Sequence, residues 1–186
     1  MKKIYIAMLL SLIFATPALA DSSGKAYIAA DVGRATFVPA TIYDNPGMVR
    51  IAGGYHFSPL FAAEIGYTKF SDLTAAVRGG TSSGTISIST SSLQAVAVAR
   101  LPLNSTFDLT AKLGMSNNAI SAKETGNTTL TNDNFSTTSL MYGVGAQYHV
   151  TSQVSVRAQY EDYGALPDSS PTIKLTAFSA GVVYNF

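Results

Sequence analysis

Eight ionisable residues fall on one parity of the chain's alternating stretches: Asp31, Arg50, Glu64, Arg100, Asp108, Lys112, Arg157 and Glu161. Gln94, Gln147, Gln159, Ser155 and Ser179 share that parity. Four acids against four bases can neutralise one another, or, with water between them, line a narrow ion path. A buried ion that loses its partner costs roughly 3–5 kcal/mol. So balanced a set therefore reads first as interlocking pairs, with Glu64, Arg157, Lys112, Arg100, Asp31 and Glu161 as the candidate network. Resources for other chemistry are thin. The histidines are His56 and His149 alone, and there is no cysteine. Two histidines near different turns, with Asp108 close in depth, do not make metal-ligand spacing. Gly79, Gly80 and Gly84 lie in a Ser/Thr stretch with no lysine and helix after them, so no phosphate loop is present. No catalytic residue, metal ligand or cofactor is expected.

The elements that must position these charges begin after an address label. Lys2 and Lys3, the apolar run Ile4 to Phe14, and Ala18-Leu19-Ala20 form the pattern of a cleaved secretory signal, too short to span a bilayer as a helix. Residues 1–20 are expected to be removed, leaving 21–186 as one domain. That segment has ten basic and eleven acidic residues, hence a net charge of about −1 and no basic run. A nucleic-acid partner is not expected. Charged residues make up 12% of the whole chain, about half the usual share, while Tyr and Phe total nineteen. No apolar run of eighteen follows the signal, so a membrane helix is excluded. A soluble all-β domain and a membrane barrel remain, the barrel being the non-helical way to satisfy every backbone group in lipid.

Period-two alternation marks eight strands, near 25–37, 48–57, 61–70, 87–103, 107–116, 137–150, 154–164 and 173–186. Short turns of three residues, Ser58-Pro59-Leu60, Asn104-Ser105-Thr106 and Thr151-Ser152-Gln153, alternate with long connections at 38–47, 71–86, 117–136 and 165–172. The long ones are rich in Ser, Thr, Asn, Gly and Pro, and 117–136 is expected to be mobile. This rhythm places all long loops at one end of an up-and-down barrel, as in outer-membrane barrels. The fold class expected is all-β, an eight-stranded antiparallel barrel.

The two faces decide which way it turns. One carries Ile28, Ala30, Val32, Val49, Ile51, Ile65, Leu93, Leu113, Val144, Val156, Phe178, Val182 and their like, with no charge in mid-strand. The other carries the ionisable set, dotted with Gly33, Gly54, Gly66, Gly114, Gly143, Gly145 and Gly181. Small residues suit a crowded eight-stranded interior, whereas a solvated exterior has no need of them. Phe57, Phe61, Phe107, Tyr148, Tyr184 and Phe186 gather at the short-turn end, where an interfacial girdle belongs. The apolar face is therefore assigned to lipid. Arg34, Lys69 and Lys174 have lipid-facing parity but stand at the long-loop ends of their strands. They are candidates for contact with lipopolysaccharide phosphates.

Gly54-Tyr55-His56-Phe57-Ser58-Pro59 with Glu64-Ile65-Gly66-Tyr67, Asp108 to Gly114, Gly143 to Tyr148 with Val156 to Tyr160, and the ending Ala180 to Phe186 together resemble the OmpA-like outer-membrane barrel family. The small opacity and OmpX-like surface barrels are similar too. The resemblance implies that Phe186, Tyr184 and Val182 form the signal read by the barrel-assembly machinery. It further implies an interior acid, Glu64, paired across the lumen with Arg157 and Lys112 as a gate. Val98 stands where the family has a lysine, with Arg100 two residues on as a stand-in, and Gln147 and Gln159 stand where it has acids. The peptidoglycan-binding domain of longer relatives has no counterpart, so cell-wall tethering is not expected.

These readings converge on an integral outer-membrane protein of a Gram-negative bacterium. Its expected role is envelope integrity or adhesion, with lipid, lipopolysaccharide and a host or surface ligand at the loops as partners. The competing readings are a narrow gated channel and, behind it, a lipid-modifying enzyme. The enzyme would need a base and a serine at the outer mouth, whereas His56 and His149 both adjoin short turns.

Overall fold

The computed structural model describes residues 25–38, 45–79, 82–125, 132–166 and 173–186. The expected signal and its junction with the barrel lie outside them, as do 39–44, 80–81, 126–131 and 167–172. The described chain forms nine strands: β1 Lys25–Val38, β2 Gly47–His56, β3 Phe61–Phe70, β4 Leu73–Gly79, β5 Ser82–Pro102, β6 Phe107–Thr125, β7 Asn132–His149, β8 Val154–Ala165 and β9 Lys174–Asn185. All pairings are antiparallel between neighbours, β1 pairs with β9, and β3 pairs with β5. The sheet is thus closed. Strand β4 continues β3 along the same partner: Lys69 faces Ser91 and Leu73 faces Ile88, so one extra residue sits at the Ser71-Asp72 break. The nine segments make eight staves, the barrel that the alternation predicts. Closure leaves no wall edge in lipid, where an unmet backbone group costs several kcal/mol.

The period of two explains the wall. Along β3, Phe61, Ala63, Ile65, Tyr67 and Lys69 are exposed while Ala62, Glu64, Gly66, Thr68 and Phe70 are buried. The same split runs round the barrel, with Ile28, Val32, Ile51, Leu93, Leu113, Val144 and Phe178 on the outside. So continuous an apolar belt far exceeds the patch a soluble monomer carries, and suits hydrocarbon. Phe57, Phe61, Tyr148, Tyr184 and Phe186 are exposed at the short-turn end, whereas Phe107 is half-buried.

Two expected loops are largely strand. Residues 71–86 hold β4 and the start of β5, and 117–136 hold the end of β6 and the start of β7, with Thr85 opposite Thr125 and Lys123 opposite Asn132. Serine and asparagine read as turn formers, but Thr85-Ile86-Ser87-Ile88-Ser89-Thr90 has four β-branched residues in six, which suits a pleated ribbon. The loop expected across 117–136 is corrected accordingly to strand for 117–125 and 132–136. About ten residues suffice to cross a bilayer on a tilted strand, yet β5 has 21, β6 19 and β7 18. Their surplus rises past the barrel as a sheet on one side. Pairing between β7 and β8 stops at Tyr142–Asp162. Above it, β7 from Asn132 to Met141 is paired with β6 alone among the described residues.

Candidate functional site

Cross-strand register explains how the lumen charges meet. Asp31 on β1 and Arg157 on β8 both lie level with Gly181 on the intervening β9. With no side chain at 181, the guanidinium lies across the gap and donates twice to Asp31, from Nε at 2.8 Å and Nη2 at 2.6 Å. Gly143 does the same between Lys112 and Glu161, whose Nζ and Oε1 are 3.0 Å apart. Gly54 lies between Tyr27 and Glu64, and the Tyr27 hydroxyl donates to Glu64 Oε2 at 3.0 Å. A Cβ at Gly54 would sit in the Tyr27 ring, and one at Gly181 on the Asp31 carboxylate. Three glycines thus act as windows through which side chains two staves apart meet.

The result is a neutral knot of three acids and three bases. Glu64, 1% exposed, accepts from Arg50 Nη2, from Lys112 Nζ at 2.9 Å and from Arg157 Nη1 at 2.8 Å. Glu161, fully buried, accepts from Arg50 Nη1 at 2.7 Å, from Lys112, and from the Tyr163 hydroxyl at 2.9 Å. Lys112 also donates to Gln159 Oε1 at 2.8 Å. Of the nominated residues, the structure brings together Glu64, Arg157, Lys112, Asp31 and Glu161. Sequence reasoning left Arg50, Tyr27 and Tyr163 out of the site. Arg50 had a signal: it shares the lumen parity and lies directly opposite Asp31.

Arg100 stands apart. Glu64 is level with Val96 on β5, and four residues further along place Arg100 about 13 Å towards the short turns. There it donates to Asp108, from Nε at 3.1 Å and from Nη2. His149 is held between Asp108 Oδ2, 2.9 Å from Nε2, and Ser155 Oγ, 2.8 Å from Nδ1. This trio has the connectivity of a hydrolytic triad, at the end opposite the one an outer-leaflet enzyme would use. Ser155 is fully buried and Arg100 already occupies the carboxylate, so the serine is out of a substrate's reach.

Above the knot, towards the long-loop end, the lumen turns apolar. Phe37, Met48, Phe70, Met141, Tyr163 and Leu175 are buried there, with the Phe70 and Tyr163 rings edge to face at 5.8 Å. Strand β8 makes this lid by leaving β7. Gly164, at a φ of 79°, turns the chain inward. The released carbonyls of Tyr163 and Ala165 are taken up by Ser116 Oγ at 2.5 Å and by Asn118 Nδ2 at 2.8 and 3.1 Å.

The other nominated residues lie on the outside. Arg34, Lys69 and Lys174 are exposed near the long-loop rim. Lys69 is engaged by Asp72 at 3.2 Å and by Ser89. Val182 and Tyr184 face outward on β9, and Phe186 N donates to Ala26 O at 3.0 Å.

The outer membrane protein beta-barrel domain family matches residues 6–186. No curated protein matches the chain at the level of sequence. Among solved structures, Ail, the attachment invasion locus protein of Yersinia pestis in complex with the heparin analogue sucrose octasulfate, aligns with a TM-score of 0.62. That alignment has 17% identity over 89% of this chain and 100% of that one. Neisserial surface protein A aligns at 0.60, with 18% identity over 89% of this chain and 98% of that one. The N-terminal β-barrel domain of Pseudomonas aeruginosa OprF aligns at 0.57, with 13% identity over 88% and 99%.

Proposed function

The chain belongs to the outer membrane protein beta-barrel domain family, and from that premise we propose that it is a non-conducting, non-enzymatic surface barrel that works through its projecting sheet. It is an integral protein of the outer membrane. The observation carrying the proposal is that β5, β6 and β7 continue well beyond the length needed to cross the bilayer. The lumen beneath offers nothing comparable. The six charges of its knot are paired with one another, and the apolar lid of Phe37, Met48, Phe70 and Leu175 would strip an ion of water with no charge to replace it. The closed lumen speaks against the channel reading, and the full burial of Ser155 speaks against a hydrolytic role for the Asp108–His149–Ser155 trio. Adhesion to a host or surface ligand then falls to the sheet and the segments at its tip. The sulfated ligand of Ail makes heparin a reasonable first probe, though the projecting strands themselves are chiefly Ser, Thr and Asn.

Residues 119–136 are bounded by the pair Asn118–Thr137, so they can be replaced in register by a short Asn-Gly turn. Cells displaying the shortened chain should keep the folded barrel in the outer membrane and lose attachment to heparin-coated and matrix-coated surfaces. Attachment equal to that of the full-length barrel overturns the reading. Planar-bilayer recording of the full-length barrel should give no sustained current, and steady conductance would restore the channel.

A further inference from the structure

At the short-turn mouth of the lumen lies a pocket of about 240 Å³ lined by Lys25, His56, Ser58, Arg100, His149 and Ser152, with Pro59 and Asn185 completing it. No carboxylate lines it. The nearby acid, Asp108, is already taken by Arg100 and His149. Lys25 makes no ion pair among the described residues. Arg100 reaches Asp108 through Nε and Nη2, which leaves Nη1 for another acceptor. Ser58 Oγ accepts the amides of Leu60 and Phe61 at 3.3 and 3.1 Å, so its own hydroxyl hydrogen can still be given away. The His56 ring lies against Tyr27 at 4.8 Å, and its buried Nδ1 has no hydrogen-bond partner. Positive charges and hydroxyl donors thus converge on a space that no carboxylate lines.

We propose that this pocket binds a phosphate group, with Lys25 and Arg100 supplying charge, Ser58 and Ser152 supplying hydroxyl donors, and the two histidine rings lying in its wall. Charged donors to phosphate oxygens are among the strongest hydrogen bonds a protein makes. The volume falls below the roughly 300–1,000 Å³ of pockets that enclose drug-sized ligands, so the bound group is small. Exposed Phe57, Leu60, Phe61, Leu103 and Val150 surround the mouth, placing the pocket near the depth of lipid headgroups in the inner leaflet. The phosphate can therefore come from a phospholipid headgroup or from free phosphate in the periplasm, and the chemistry of the site is the same for both.

His56 and His149 are the histidines of the sequence, so an untagged barrel in alkyl maltoside micelles gives two imidazole Cε1–H resonances. Titration with inorganic phosphate at constant ionic strength, against chloride as control, is expected to move both resonances along a saturating curve. A parallel titration with phosphatidylglycerol doped into the micelles tests the headgroup. Saturation with free phosphate assigns the site to the small ion, and saturation with the lipid alone assigns it to the headgroup. Lys25→Gln alters an exposed residue that makes no ion pair among those described, and the barrel should fold. Its half-saturation should rise about five-fold, the effect of one exposed ion pair near 1 kcal/mol. Stationary resonances in both titrations, shifts that chloride reproduces, or a Lys25→Gln curve that overlays the parent curve overturns the proposal.

Discussion

Replacing Gly181 by alanine tests whether the glycine windows organise the lumen. The added methyl would sit on Asp31 Oδ1 and Ala30 O, and against the Asp31 Cα at 2.8 Å. Asp31 would have to turn away, giving up both bonds from Arg157 in a site where Asp31 is 1% exposed. Breaking one side of a buried ion pair costs about 3–5 kcal/mol, while glycine to alanine in a strand returns about 0.5–1 kcal/mol. The net loss expected is therefore about 2–4 kcal/mol. Gly53 supplies the control. It faces lipid, and a Cβ there would meet nothing nearer than Tyr27 O at 4.0 Å, so Gly53→Ala should be neutral or slightly stabilising. Reversible urea unfolding in lipid vesicles, followed by tyrosine fluorescence and by the shift in gel mobility, measures both. Each is repeated in an Asp31→Ala background to give a double-mutant cycle. If Gly181→Ala costs no more than Gly53→Ala, or costs as much with Asp31 absent as present, the window argument fails.

Glu64→Ala should destabilise more than any other single change in the knot, because it takes one carboxylate from Arg50, Lys112 and Arg157 at once and leaves three bases to two acids. Adding Arg157→Ala should recover part of that loss, and strict additivity in a cycle would refute the coupling. Ala146→Arg should impair refolding into vesicles, since an arginine facing hydrocarbon costs about 2–4 kcal/mol at the midplane and less towards the interfaces. Gln147→Arg, on the lumen side between Asp108 and Arg157, should be the milder of the two, and the reverse ranking in vesicles would invert the face assignment. Deleting Phe186 should lower outer-membrane yield while refolding in detergent survives, checked by fractionation against in vitro folding. A short polar epitope placed near Asn127 should be reached by antibody on intact cells, whereas labelling only after permeabilisation would reverse the topology.

Barrel closure and the sorting of faces were legible because a period of two carries both. Every lipid-facing residue from Ile28 to Phe186 is separated from its lumen neighbour by one position, so parity alone assigns the side. The projecting sheet was not legible by the same logic. Its sequence is chiefly Ser, Thr and Asn, and without a continuous apolar side the alternation that marks a strand fades. What holds it is the ladder with neighbouring strands, a long-range property of β5, β6 and β7. The turn of β8 at Gly164 and the lid it makes are likewise invisible, since Tyr163-Gly164-Ala165-Leu166 reads as an ordinary strand end.

Pairing within the lumen was half legible, and the missing half has a simple form. Parity says which side chains enter the lumen but not which staves lie level with one another. Level follows from the registers, and the registers set Asp31, Gly181 and Arg157 in one row and Lys112, Gly143 and Glu161 in another. A glycine on the lumen parity is thus more than relief of crowding, because it joins the two staves beside it. Arg100 shows the converse. Its row passes through Thr110 and then Gly145 to Gln159, which offers no acid, so it turns instead to Asp108 two residues along β6. The family resemblance made Arg100 a stand-in for a missing base in the knot; the row it occupies makes it part of the periplasmic mouth. The six-charge knot closes the middle of the lumen, the apolar lid closes its outer end, and Arg100 is left facing the polar recess at the short-turn mouth.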